Sequence, residues 1–185
     1  MFDELFKKLI YSKVQEAIKG LEKYLAVPEI AEPLTLIRQF TIADSTVTKG
    51  GIRVVGESWQ VEAYDDNSPR LTVNEPLREV ILFEIAEPVD RECVLACRFQ
   101  AKALNTEKDI VVKLGLCKQE QIGTTTTGWS TSVSQTKDFR SFEIRAHFKK
   151  GTTPTKVQVI IKFESSGILE IRNIELLQAP VKLEP

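Results

Sequence analysis

A chain of 185 residues, 42% hydrophobic and 28% charged, can bury a core and is most simply one domain with an appendage. Its net charge of -1 argues against a general nucleic-acid binder, which needs a concentrated basic surface. Charged residues such as Asp3, Glu4 and Lys7 interrupt the first segment, so we expect neither a secretory signal nor a membrane span.

An amphipathic helix is predicted within residues 1–27. Apolar residues recur there at three- and four-residue spacings, which places them on one stripe of a helix. Pro28 and Pro33 end the pattern, and residues 28–33 are predicted as an extended connector. The apolar residues that we select as the interaction stripe are Phe2, Phe6, Leu9, Ile10 and Leu21.

Something must cover this stripe, and three partners are open: the rest of the chain, the same helix of a second copy, and a membrane surface. Acidic and basic residues balance on the polar face of the helix, so electrostatic attraction to anionic lipid is small. Packing within or between chains is therefore favoured, and a homo-oligomer through the helix is one expectation.

From Leu34 onward the chain has the pattern of strands and turns. Period-two alternation is clearest in 142–148 and 157–163, where apolar side chains alternate with polar ones and Ile160 is the exception. We predict nine or ten strands, including 51–57, with polar loops at 64–70 and 121–128. The expected fold is all-β: a two-sheet antiparallel jelly-roll sandwich over residues 34–179, followed by a tail at 180–185.

The last predicted strand changes phase in its middle. Leu169 and Ile171 share one phase, whereas Ile174 and Leu176 share the other. One extra residue at Arg172-Asn173 would produce this shift, so a β-bulge is predicted there.

Cysteine and histidine give no sign of catalysis. Cys93 and Cys97 share a phase and lie too far apart along one strand for a disulfide, so these two and Cys117 are interpreted as reduced thiols. This favours a reducing compartment, and we expect a cytoplasmic protein. His147, the one histidine, lies on the polar phase of a strand and is interpreted as a structural or surface residue. No enzyme activity and no cofactor are predicted.

Three blocks resemble the jelly rolls of carbohydrate-binding modules, within the galactose-binding-like group. They are RECVLACRFQAKALNTEKDIVVKLGLC, KDFRSFEIRAHF and the closing GILEIRNIELLQ, and the resemblance spans about residues 34–179. It implies a non-catalytic module that binds a saccharide. Members of the group often hold a structural calcium through acidic residues, including one in the closing motif, where this chain has Arg172 or Asn173.

A saccharide site of this kind combines aromatic rings that stack on sugar faces with polar groups that bind hydroxyls. The candidates for stacking are Trp59, Tyr64 and Trp129, although core or edge packing is the alternative for both tryptophans. Arg98 and Gln100 lie on the polar phase of their strand and are the candidates for hydrogen bonding.

Asp65 and Asp66 lie in a polar loop that could bind calcium or form a solvated turn. Because no other cluster of hard oxygen ligands stands out, these two are the weak metal candidates.

The sequence is consistent with two functions. The leading one is a non-catalytic, saccharide-binding module. The competing one is an interaction or scaffold protein that uses the N-terminal helix for self-association or for docking a partner.

Overall fold

The computed structural model describes residues 2–25, 27–41, 44, 59–65, 68–74, 77–86, 92–120, 123–148 and 156–182. Within these ranges it contains one helix and ten strands. They are α1 (Phe2–Leu25), β1 (Thr35–Gln39), β2 (Trp59–Asp65), β3 (Ser68–Val73), β4 (Leu77–Ala86), β5 (Cys93–Leu104), β6 (Ile110–Glu120), β7 (Gly123–Val133), β8 (Arg140–Phe148), β9 (Lys156–Phe163) and β10 (Gly167–Pro180).

The strands form two antiparallel sheets that face each other. One sheet has the order β2-β3-β10-β5-β8, with β1 also paired to β10, and the other has the order β4-β9-β6-β7. The inward side chains of both sheets form one buried cluster. Phe40, just after β1, stacks on Phe83 of the opposite sheet with ring centroids 4.6 Å apart. The predicted fold, an all-β sandwich preceded by one helix, is confirmed.

Strand β10 organises the six-stranded sheet. One of its edges pairs with β5 along nearly its whole length, while its other edge pairs first with β3 and then with β1. The pairing with β5 jumps from Arg172–Gln100 to Glu175–Arg98, so two residues of β10 stand opposite Phe99 alone. Asn173 has a φ of 52° at this point. The predicted β-bulge is confirmed, and it lies where the strand changes neighbours.

The bulge keeps both halves of β10 on the core. Leu169 and Ile171 before it, and Ile174 and Leu176 after it, are all buried. Without the extra residue, the side-chain period of two would turn one of these pairs toward the outside of the sheet.

Strand β9 is more buried than its alternating sequence predicts. Both Gln158 and Ile160, on its outer face, are buried. The strand lies between β4 and β6, so its outward side chains are flanked on both sides, and the amide Nε2 of Gln158 donates to Glu84 Oε2 at 2.6 Å. A central strand with neighbours on each side explains the difference.

Two loop predictions were wrong. Residues 123–128 form the first half of β7 and pair with β6, since threonine suits a strand well. Residues 68–70 begin β3, which the sequence did not predict because the segment 64–70 is rich in turn residues. The predicted strand at 51–57 lies outside the described residues.

The predicted connector and tail touch each other. Ile30 bridges Val181, and the backbone N–H of Ala31 donates to the carbonyl of Pro180 at 2.9 Å. The backbone N–H of Lys182 donates to the carbonyl of Glu29 at 2.8 Å. Residues 28–33 and 180–182 therefore extend the sandwich at one end.

We expect Asn173→Val to lower the free energy of unfolding by about 1–3 kcal/mol, because a β-branched residue is strained at positive φ. Asn173→Gly, which removes the side chain but suits this φ, should change it by about 0.5 kcal/mol or less. Urea denaturation of both variants measures the difference. Equal stability of the two would show that backbone strain at the bulge has no influence.

Candidate functional site

The outer face of the six-stranded sheet is divided into a covered half and an open half. Val94 and Ala96 of β5 and Leu177 of β10 are on its outward phase, yet all three are buried. From Arg98 onward, the outward residues of β5 are exposed or half-buried, and Arg98, Gln100 and Lys102 among them are polar. Among the described residues of β5, the outward face is therefore accessible from Arg98 onward.

A cleft of about 500 Å³ lies on the open half, beside the bulge. We call it the bulge cleft. It draws on β8, β5, β10 and β1, because these strands are consecutive neighbours in the sheet. Its lining residues are Gln39, Arg98, Phe99, Gln100, Ser141, Phe142, Glu143, Asn173 and Glu175.

Glu143 organises one wall of the bulge cleft. Its two carboxylate oxygens accept separate hydrogen bonds, one from Arg98 Nε and one from Arg145 Nε, each at 2.6 Å. Arg98 and Glu143 are direct partners in the β5–β8 register, so the sheet itself sets their spacing. Partial burial raises the pKa of Glu143, but the hydrogen bonds from the two arginines outweigh it and hold the pKa below its usual value of 4.5.

Gln100 organises the other wall. Its carbonyl oxygen accepts from Arg172 Nε at 2.9 Å and from Asn173 Nδ2 at 3.3 Å. The guanidinium of Arg172 also lies 3.8 Å from the centroid of the Phe139 ring. These contacts fix the direction of three polar side chains before any ligand arrives.

The bulge cleft contains two of the five residues predicted to bind a saccharide, Arg98 and Gln100. Trp129 lies in the other sheet, on β7, where it is half-buried and packs against the core. This agrees with the packing alternative for that tryptophan. Trp59 and Tyr64 lie on β2, and their side chains are outside the described part of the chain.

Sequence reasoning missed the partners that complete the bulge cleft. Glu143 could have been found, because it alternates with buried residues of β8 and stands on the polar phase. Asn173 and Glu175 could have been found from the predicted bulge, which places them next to β5. Gln39 gave no signal, because the pairing of β1 with the far end of β10 spans nearly the whole chain.

No metal site is found among the residues that the structure describes, where no three His, Cys, Asp or Glu side chains cluster suitably. Asp65 is the last residue of β2, and Asp66 falls outside those residues. The two weak calcium candidates thus stay predictions.

The remaining reactive side chains lie away from the bulge cleft. Cys93 and Cys97 are free and buried, as expected of reduced thiols. Burial raises the pKa of Cys97 to about 12, and burial, with the nearby Glu92 charge, raises that of Cys93 to about 11. His147 Nε2 lies 2.7 Å from Glu92 Oε1, opposite the buried Val94 at the covered end of the sheet.

The predicted interaction helix has an apolar surface along its first half. The predicted residues Phe6, Leu9 and Ile10 are about half exposed or more, as are Leu5 and Val14. Phe2 and Leu21 belong to the same helix, but their side chains lie beyond the described ones. Within the described chain, no helix has both the length and the apolar character required to cross a bilayer.

Comparison with known proteins identifies a fold and no sequence family. No family model matches the chain, and no curated protein matches it. Among solved structures, it is similar to the CBM22-1 xylan-binding domain of Xyn10C from Paenibacillus barcinonensis, with 9% identity and a TM-score of 0.55. This match covers 82% of the chain and 99% of that domain.

Two further solved structures are similar at lower TM-scores. One is a family 29 carbohydrate-binding module complexed with mannohexaose (11% identity, TM-score 0.49, 80% of this chain and 94% of that one). The other is a family 4 carbohydrate-binding module (14% identity, TM-score 0.48, 76% and 84%). The match to the xylan-binding domain shows that the chain has the jelly-roll fold of carbohydrate-binding modules, as the sequence resemblance implied.

Because the pKa of Glu143 is lowered in the folded protein, its ion pairs add stability at neutral pH that is lost as pH falls below about 4.5. We expect Glu143→Gln to lower the free energy of unfolding at pH 7 by at most about 1 kcal/mol, since the pairs are partly exposed. At pH 3 the two proteins should converge. Urea denaturation at both pH values measures this.

Glu107→Gln is the matched control, because it removes one exposed carboxylate that has no partner among the described residues. A pH-independent loss in Glu143→Gln would assign the effect to packing instead of charge.

Proposed function

We propose that this protein is a non-catalytic module that binds a saccharide in the bulge cleft. The observation that carries the proposal is a preformed polar cleft on the open half of a jelly-roll sheet, with the predicted Arg98 and Gln100 in its walls. The fold likeness to a xylan-binding domain supports the choice of a saccharide as ligand.

The side chains of the bulge cleft suit sugar hydroxyls, which donate and accept hydrogen bonds at once. Arg98 and Asn173 offer donors, whereas Glu143 and Glu175 offer acceptors. The contacts around Glu143 and Gln100 already hold these groups in place, so binding would cost little side-chain entropy.

The electrostatics of Glu143 suit a hydrogen-bond acceptor and not the general acid of a glycosidase. A glycosidase needs a carboxylic acid whose pKa is raised, so that it can protonate the leaving group. Arg98 and Arg145 instead hold the pKa of Glu143 low, which keeps it ionised as a hydrogen-bond acceptor. We further infer a reducing compartment, in keeping with the free, buried Cys93 and Cys97.

Substitution of the two predicted residues tests the site. We expect Arg98→Ala to weaken saccharide binding about tenfold or more, because a hydrogen bond from a charged group is lost. Gln100→Ala should weaken it several-fold by releasing Arg172 and Asn173. A glycan array identifies the ligand, and titration calorimetry measures the affinities.

Lys162→Ala is the control, since Lys162 lies on the other sheet and pairs with Glu164. If Arg98→Ala and Gln100→Ala bind as tightly as Lys162→Ala, the site is elsewhere, with Trp59 and Tyr64 as the next candidates.

A second candidate is an interaction protein, and the exposed apolar side chains of α1 favour it. In this function the helix mediates self-association or docks a partner, because a contiguous apolar stripe on a surface helix is normally covered.

We expect Phe6→Glu to shift an oligomer toward monomer, because it places a charge in the apolar stripe. Lys8→Gln changes the charge by the same amount at a site about 160° away around the helix, and should have no effect. Light scattering over a concentration series measures the mass. A monomer for the unsubstituted protein, with an unchanged list of captured partners in Phe6→Glu, would reject this function.

A further inference from the structure

A second cleft, of about 490 Å³, lies where the β5–β6 turn meets the connection between β7 and β8. We call it the loop cleft. Neither the predicted site residues nor the bulge cleft includes any of its lining. The residues around it are Leu104, Asn105, Gln135, Thr136, Lys137, Asp138 and Arg140.

Backbone contacts hold the loop cleft open in one shape. Ala103 and Gln135 form a bridge, and the N–H of Thr136 donates to the carbonyl of Ala103 at 3.0 Å. The N–H of Thr106 donates to Gln135 Oε1 at 3.0 Å. Because that oxygen accepts from the backbone, the amide Nε2 of Gln135 is left as a donor.

The side-chain charges of the loop cleft are mostly positive. Lys137 and Arg140 have no partner among the described residues, and Asp138 is the one carboxylate in the lining. With Gln135, the loop cleft presents three donor groups at its surface. Such a set suits an anion with several acceptor oxygens.

The loop cleft and the bulge cleft are neighbours along β8 and β5, and they share no lining residue. Arg140 lines the one and the adjacent Ser141 lines the other. Between them lies Phe139, with Lys102 Nζ 4.8 Å and the Arg172 guanidinium 3.8 Å from its ring centroid. Along β5, Gln100 and Leu104 are about 13 Å apart at roughly 3.3 Å per residue, which is a distance that a short oligosaccharide spans.

The charge balance differs between the two clefts. In the bulge cleft, Arg98 is neutralised by Glu143, and Glu175 adds a further carboxylate. Toward the loop cleft, Lys102 is neutralised by Glu170. Among the described residues, Arg172 contacts only an amide and a ring, and Lys137 and Arg140 are unpaired. The bulge cleft thus favours neutral hydroxyls, and the loop cleft favours negative charge.

We propose that the loop cleft binds an acidic sugar residue, carrying a carboxylate or a sulfate, within the same saccharide chain that occupies the bulge cleft. This inference rests on the proposed function and narrows it to an acidic oligosaccharide. Lys137 and Arg140 bind the anion, Gln135 adds a hydrogen bond, and the bulge cleft holds the neutral part of the chain.

The test compares one ligand with its own neutral form. Two ligands are titrated into the protein: a xylo-oligosaccharide carrying a glucuronic acid residue, and the same oligosaccharide after its carboxyl group has been reduced to an alcohol. We expect the acidic form to bind about tenfold more tightly at low salt, and the difference to shrink as salt screens the charges.

Substitutions test whether the preference for the acidic form comes from the loop cleft or from elsewhere in the molecule. In Lys137→Gln and Arg140→Gln, the acidic form should lose most of its advantage, while the affinity for the neutral form stays within about twofold. Lys162→Gln removes another exposed cation, on the other sheet, and should change neither affinity. Thermal denaturation of each variant confirms that it is folded.

Each outcome decides between the two proposals. Equal affinity for the acidic and reduced forms, with binding still lost in Arg98→Ala, overturns the acidic-sugar inference and leaves the proposed function standing. No binding to any saccharide, neutral or acidic, overturns both.

A parallel titration with a sulfated oligosaccharide decides which anion is preferred. Tighter binding of the sulfated chain, lost in the same two variants, assigns the loop cleft to sulfate. Binding of single-stranded RNA with greater affinity than any saccharide would overturn the inference in favour of a phosphate ligand.

Discussion

The extra residue in β10 is the constraint on which the sandwich and its open face depend. At a φ of 52°, Asn173 lets one strand keep Ile171 and Ile174 on the core although they are an odd number of residues apart. The same irregularity marks the point where β10 exchanges β3 for β1 as a neighbour. One bulge thus keeps the apolar side chains of β10 on the core and also lies where the strand changes its neighbour. The cleft beside the bulge is a consequence of this irregularity in β10.

The polar groups of the bulge cleft are arranged more for orientation than for stability. Partly exposed ion pairs such as Arg98–Glu143 contribute little to folding, because water and salt screen them. Their effect is geometric: a carboxylate that accepts from two guanidiniums, Arg98 and Arg145, cannot rotate freely. The ion pairs therefore fix the positions of hydrogen-bond donors and acceptors on the sheet surface.

The sequence was enough to predict features that depend on the alternation of side chains along a strand. It was not enough to predict features that depend on contacts between segments far apart in the chain. Alternation was enough to predict the sandwich, the bulge at Asn173 and the outward polar positions of Arg98 and Gln100. It could not show that Val94 and Ala96 are covered, since burial of an outward face depends on what lies over it. The role of Trp129 was equally hidden, because a tryptophan on a strand suits a core and a sugar site alike, and only the sheet order distinguishes them.

The aromatic rings near the two clefts are already engaged, and this determines how selectivity can arise. Phe142 stacks on Phe99 with centroids 5.3 Å apart, and Arg172 lies over the ring of Phe139. Ring stacking tolerates many sugars, because most pyranoses offer an apolar face. Fixed hydrogen-bonding groups discriminate more strongly, since a ligand that lacks the matching group leaves them unpaired. Under the proposed function, a site built this way should accept a narrow range of saccharides, and the positions of Gln100, Glu143 and Arg140 would define which hydroxyls and charges those saccharides must carry.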